Sequence, residues 1–319
     1  MGVAPLVAVA QPARKVRRIG FLSLDTSSSV AGQLVREDFP KALNALGYRE
    51  NENLVIEWRW ADGKTENLSG LAEDLVRMKV DVIVARTNGP IRAAKQATQT
   101  IPIVMFNGNF PVEEKFIESL ARPGGNVTGT SYMAPSMYQK HLQILKELAP
   151  RTDRVAVLWS ANNTGSPLEQ VVKTSLQRGA TALGIAVQYF DVRQPAEIAA
   201  ALNRIATSGS NAFLYLGTPI LRGRSAEIMV FLRNHRLASV GVIPTFAEDG
   251  GLAHYAPDTR GFVDRTASYV DRILKGGQPS DLPVEEPTKF ELVINLKTAR
   301  ALGLTVPQSL LISADRVIS

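Results

Sequence analysis

Asp25 and Glu248 are the two carboxylates that this 319-residue chain places just beyond apolar, strand-like runs. Paired carboxylates are usual equipment for acid–base chemistry. No other catalytic group joins them. His141 lies in a helix-like stretch beside Lys140 and Leu142, His235 at a basic helix end and His254 in a strand-like run, and none has a spaced Ser, Asp or Glu partner that suggests a triad or a metal site. There is no phosphate-cradling G-x-x-x-x-G-K. The chain has 0 cysteines, which removes thiol catalysis, zinc–thiolate sites, disulfides and a cysteine-borne lipid anchor. The reading is therefore binding: no catalytic residue, no metal and no cofactor are expected. The enzyme alternative rests on Asp25 and Glu248 alone.

What the chain does repeat is a loop of small polar residues after each strand-like run. In the first half these loops supply Asp25, Thr26 and Ser27, then Thr87, Asn88 and Gly89, then Asn107, Gly108 and Asn109. In the second half they supply Ser160, Asn162 and Asn163, then Gly217 and Thr218, and then the stretch holding Phe246 and Glu248. Ser, Thr, Asp and Asn are also the favoured helix N-caps, so any one loop has a purely structural explanation. In open parallel sheets, however, ligands bind outside the carboxyl ends of the strands, where helix N-termini favour an anionic group. Tyr132 and Phe246 are expected to face that site, whereas Phe106, Trp159 and Tyr215 lie in or at the ends of apolar runs and suit core equally well.

The elements that must position these loops follow from hydrophobic periodicity. Short apolar runs over residues 19–24, 54–58, 80–84 and 101–106 read as buried parallel strands, with helices over 32–46, 66–78 and 90–98 between them. Pro40 interrupts the first helical pattern. The turn-rich Arg122-Pro-Gly-Gly-Asn-Val-Thr-Gly129 closes this series. A helix over 136–148 opens a second series, with strands over 155–159, 186–190, 212–216 and 239–244 and helices over 167–183, 196–207 and 222–235. The tail reads as a strand within 249–257, a helix over 259–275, an extended 282–287, a strand over 290–296 and a short helix ending at Leu302-Gly303. The pattern gives an α/β fold of two doubly wound, Rossmann-like lobes joined by a multi-strand hinge. The expected division is 1–15 as a signal-peptide remnant or disordered N-terminus, 16–129 with about 253–288 as one lobe, and 130–252 with about 289–319 as the other.

Composition agrees. An apolar fraction of 45% with 21% charged residues is that of an ordered soluble protein. The net charge of +6 is mixed along the chain, and the tight basic cluster Arg14, Lys15, Arg17 and Arg18 stands beside the N-terminus, so no nucleic-acid partner is expected. The apolar start ends in Ala8-Val9-Ala10, a small-x-small pattern like a secretory cleavage site. Later segments fall short of the roughly 20 apolar residues a membrane span needs.

Longer stretches carry a family resemblance. Leu46-Gly-Tyr48 with Asn53-Leu-Val-Ile-Glu-Trp-Arg-Trp-Ala-Asp-Gly63, Ala94-Lys-Gln-Ala-Thr98 with Ile101-Pro-Ile-Val104, Ser119-Leu-Ala-Arg-Pro-Gly-Gly-Asn-Val-Thr-Gly129 and Pro287-Thr-Lys-Phe-Glu-Leu-Val-Ile-Asn-Leu-Lys-Thr-Ala-Arg-Ala-Leu-Gly-Leu304 together resemble the periplasmic substrate-binding components of ABC importers, in the branch with tryptophan- and tyrosine-binding members. The resemblance implies a type I periplasmic binding protein fold, a periplasmic monomer, one small-molecule ligand held between two lobes, and membrane permease subunits as partners. Such proteins usually have a small residue, Asp and Pro after the fourth strand and Thr-Pro after the third, where this chain has Asn107-Gly-Asn-Phe-Pro111 and Thr87-Asn-Gly-Pro90. An amino acid or an aromatic acid is the expected ligand class. A ligand-sensing domain of the same fold is the other binding reading, but the residues before Val16 leave no room for a helix-turn-helix.

Overall fold

The Val- and Ile-rich runs of the first half become parallel strands buried on both faces, as runs without polar alternation require. The computed structural model describes residues 16–160, 167–259 and 261–319. In chain order the first elements are β1 (Arg17–Ser23), α1 (Val30–Ala45), β2 (Leu54–Trp60), α2 (Leu68–Arg77), β3 (Val82–Arg86), α3 (Asn88–Ala97), β4 (Ile103–Asn109) and β5 (Val127–Met133). Their sheet has the order β2-β1-β3-β4-β5, and Ile19, Phe21, Val82, Val84, Ile103 and Val104 in its centre are fully buried.

The second half continues with α4 (Ser136–Leu148), β6 (Arg154–Ser160), α5 (Pro167–Leu183), β7 (Ala186–Val192), α6 (Ile198–Thr207), β8 (Ala212–Tyr215), α7 (Pro219–Arg222), α8 (Ser225–Asn234), β9 (Ala238–Gly241) and β10 (Ala253–Pro257). After α9 (Phe262–Leu274) the chain adds β11 (Phe290–Asn295), α10 (Leu296–Leu302), α11 (Gln308–Ser313) and β12 (Arg316–Ile318). The second sheet runs β12-β11-β10-β9-β8-β6-β7. Successive residues of β6 serve opposite faces: Val155, Val157 and Trp159 pack with Leu142, Leu145 and Leu176, while Ala156 and Leu158 pack with Ile198, Leu202 and Leu232.

These elements form two compact units, one from the described parts of 1–107, 117–130 and 261–284, the other from those of 108–116, 131–260 and 285–319. In the first unit α9 packs on α1, and the Tyr48 hydroxyl donates to Asp271 at 3.0 Å. The fold is an α/β fold of two parallel-sheet units. Several expectations need correction. α1 runs unbroken through Pro40, and β5 exists although its Thr-Gly-Thr-Ser composition resembles a loop. Gly129 explains that choice of residue: its φ is +124° and a side chain there would collide with the Met105 backbone. The helix read over 222–235 is α8, which starts at Ser225 after the separate short α7, and the strand read over 239–244 ends at Gly241. β10 pairs with β9 in parallel and β11 in antiparallel, so residues 253–257 belong to the second unit's sheet.

Candidate functional site

Each sheet reverses its strand order once, between β1 and β3 in the first and between β6 and β8 in the second. Such reversals open a crevice at the strands' carboxyl ends, where open α/β folds bind ligands. In the first unit the parallel register sets Trp60, Ser23, Arg86 and Phe106 side by side in one row at that edge. The Ser23 hydroxyl donates to Asp25 at 3.2 Å, and the Arg86 guanidinium is ion-paired with Asp25 and lies 5.9 Å from the centre of the Phe106 ring. One turn of pleat below, Trp58 stacks on Trp60 with centroids 5.6 Å apart, over Phe21.

The loops at this edge are strained as well as polar. Thr87 has φ +69° and ψ 168°, a region that β-branched residues avoid and glycine alone occupies freely. Its side chain makes no cap hydrogen bond to α3. Asn107 has φ +62°, its N–H donates to the Thr130 hydroxyl at 3.3 Å, and its side-chain carbonyl oxygen is buried without a partner, as is the indole nitrogen of Trp60. Leaving such a group unpaired costs about 1–3 kcal/mol. The Asp25–Ser29 loop is partly structural: Ser29 accepts from Gly32 N–H at 3.0 Å as the cap of α1, and Thr26 braces Ser29 at 3.1 Å. Ser27 is half-buried in the same loop. Asn88 and Gly89 open α3, and Gly108 and Asn109 end β4.

In the second unit the carboxyl edge carries Trp159 at the end of β6 and Tyr215 at the end of β8. The Trp159 indole nitrogen, the Tyr215 hydroxyl and the Thr218 hydroxyl are all buried without a partner. Gly217, with φ +64°, makes the tight turn between Tyr215 and Thr218, and a side chain there would overlap Ile243. Burial pushes the phenols of Tyr132 and Tyr215 up to about 12, and the charge of Arg222 opposes that rise at both. Ser160 ends β6; Asn162 and Asn163 lie outside the described residues.

Two expected site residues have other work. Phe246 is fully buried rather than facing a ligand: its ring stacks on Tyr215 at 5.0 Å, in space left by Gly241 and Gly251. Glu248 is ion-paired with Arg316 of β12, so its charge is met within the second unit's own sheet. Sequence reasoning passed over Trp60, Arg86 and Arg222. The first two had a signal, since Trp60 repeats Trp58 at strand spacing and Arg86 is a charge that closes an apolar run. The histidines at 141 and 254 are core groups. His141 is fully buried with its ring nitrogens 2.5 Å and 2.6 Å from the carbonyl oxygens of Met137 and Tyr255, and among the described residues no cluster of His, Asp or Glu could hold a metal.

Comparison with known proteins follows the same lines. The family model described as ABC transporter substrate binding protein matches residues 28–318. A tyrosine-binding protein of Clostridioides difficile (strain R20291) is 27% identical over 298 residues, covering 91% of this chain and 82% of its own. A conserved domain protein from Vibrio cholerae superposes with a TM-score of 0.84 at 26% identity, covering 95% of this chain and 100% of its own. An ABC domain from Streptococcus pneumonia, solved in complex with L-Trp, does so with a TM-score of 0.84 at 24% identity and the same coverage, 95% and 100%.

Proposed function

We infer that this chain, which belongs to the ABC transporter substrate-binding protein family and so is a binding protein rather than an enzyme, is the solute-capturing component of an importer. Its ligand is a small polar molecule bearing a carboxylate, an amino acid or an aromatic acid, which it presents to permease subunits in the membrane. The observation that carries this reading is the set of buried, unpartnered polar groups at the carboxyl edges: Trp60 and Asn107 in the first unit, Trp159, Tyr215 and Thr218 in the second. A fold tolerates such groups at little net cost when a ligand completes them.

Tyrosine and tryptophan, named for the Clostridioides and Streptococcus relatives, are the first ligands to try, and the Trp58–Trp60 stack offers aromatic surface for either. The apolar start ending in Ala8-Val9-Ala10 supports export to the periplasm, and no helix among the described residues is long and apolar enough to cross a membrane. We expect calorimetric titration of the purified chain with L-amino acids and aromatic acids to give one site of micromolar affinity or tighter, on the order of −8 kcal/mol. Heat-silent titrations with no rise in melting temperature across the panel refute the reading.

A further inference from the structure

The two carboxyl edges differ in charge chemistry. In the first unit the cation, Arg86, already has its charge matched by Asp25 through one of its nitrogens. In the second unit the loop from β8 to α7 carries donors with nothing to donate to. Tyr215 is 0% exposed and its hydroxyl has no partner; the Thr218 hydroxyl is buried and has none either. Arg222 N–H donates to Thr218 O at 2.9 Å, which sets the two residues one helical turn apart. Leu221 is fully buried and anchors α7, while Arg222 beside it is exposed and has no ion-pair partner among the described residues. The next arginine, Arg224, is by contrast paired with Glu227. The charge of Arg222 acts on both the Tyr132 and Tyr215 hydroxyls. The one acidic group that acts on Tyr215 is Asp249, whose carboxylate accepts from the Thr245 hydroxyl at 3.3 Å.

We propose that this β8–α7 loop is the anion grip of the ligand site: the hydroxyls of Tyr215 and Thr218 and the guanidinium of Arg222 take the ligand's carboxylate, and the Asp25–Arg86 pair does not. The proposal deepens the binding-protein reading and rests on it. Hydroxyl and guanidinium donors around an oxyanion give short, charge-assisted hydrogen bonds, stronger than those between neutral groups. Phe246, stacked on Tyr215, and Gly217, at the turn, hold the grip in place. The edge is thus built to tell an acid from its amide, because an amide brings neither the charge for Arg222 nor a second acceptor oxygen.

The test uses the full chain with L-tryptophan, L-tyrosine and their carboxamides as probes in calorimetry, comparing wild type with Tyr215→Phe, Arg222→Gln and Arg86→Gln. The wild type should prefer acid over amide by roughly 100-fold, Arg222→Gln should cut that ratio to below about 10, and Tyr215→Phe should weaken the acid about 10-fold or more while changing the amide little. A wild-type ratio in both second-unit variants, or its collapse in Arg86→Gln instead, overturns the proposal and leaves the binding reading intact. A second readout needs no ligand. Tyr215→Phe removes an unpartnered buried hydroxyl, so the melting temperature of the ligand-free protein should hold or rise. A fall of several degrees means that the hydroxyl serves the fold and overturns the grip whichever ligand binds. Silence of all four probes on the wild type refutes the aromatic amino-acid assignment, and the ligand-free measurement then decides the grip by itself.

Discussion

Mild acid should weaken the second unit in a pH range where carboxylates are still ionised. His141 and His254 are both fully buried, and burial pushes each imidazole down from 6.5 to about 4. For His141 the carbonyl contacts at Met137 and Tyr255 oppose the shift without cancelling it. For His254 the charge of His141 adds to the effect of burial, while Glu248, itself paired with Arg316, lies 3.4 Å from Nδ1. The unfolded chain takes up these protons as pH falls through 6.5 and the folded chain does not until about 4. Stability is therefore complete above the unfolded value and is lost as pH falls between the two. By pH 5 the loss is about 2 kcal/mol for each histidine, and about 4 kcal/mol for the pair. Denaturant titrations at pH 7.5, 6 and 5 measure it, read through fluorescence of Trp159, the one of the 3 tryptophans that lies in this unit. His254→Gln, whose amide oxygen can take the Ala247 N–H that His254 accepts at 3.3 Å, should flatten about half of the slope. A stability unchanged from pH 7.5 to 5, or imidazole resonances of residues 141 and 254 titrating near 6.5, refutes the reasoning.

Other outcomes follow from the same geometry. Thr87→Gly should raise the melting temperature, because about 1–3 kcal/mol of backbone strain is released against a glycine entropy cost of about 1 kcal/mol or less; a lower melting temperature shows that the Thr87 side chain is held by more than its backbone. Gly251→Ala sets a methyl group against the Phe246 ring and should cost about 1–3 kcal/mol in denaturant unfolding, with ligand affinity falling as Tyr215 shifts. An unchanged midpoint refutes that packing. Asp25→Asn removes the partner of a half-buried Arg86; because both groups keep contact with water, the stability cost should stay near 1 kcal/mol, measured by the same unfolding. A loss of several kcal/mol contradicts the partly screened pair described here.

The strands of both series were legible because short apolar runs bounded by polar loops admit few alternatives, and those loops fell at the carboxyl ends as expected. β5 was not legible, since the buried Thr128 and Thr130 hydroxyls donate to distant backbone, to Leu282 O at 2.6 Å and Met105 O at 3.4 Å, which no local pattern reveals. The site was legible as loops but not as charges. Asp25 was visible as a carboxylate, whereas its neutralisation depends on Arg86, 61 positions away. Glu248 read as a free carboxylate for the same reason, its partner Arg316 being 68 positions away. Phe246 was misplaced because a large aromatic after a strand suits a ligand or a core equally; Gly241 and Gly251, which make room for its ring, were the available signal. Arg222 is 1 of 36 basic residues, and only its place one turn after Thr218, beside the buried Tyr215 hydroxyl, makes it conspicuous.

Native mass spectrometry of the freshly purified full chain, followed by gentle denaturation and identification of what is released, tests the central claim most directly. The account predicts one carboxylate-bearing small molecule per chain, recovered chemically unchanged. A chain that carries nothing and gains no mass from any amino acid or aromatic acid offered to it, or that returns a bound compound as a converted product, contradicts it.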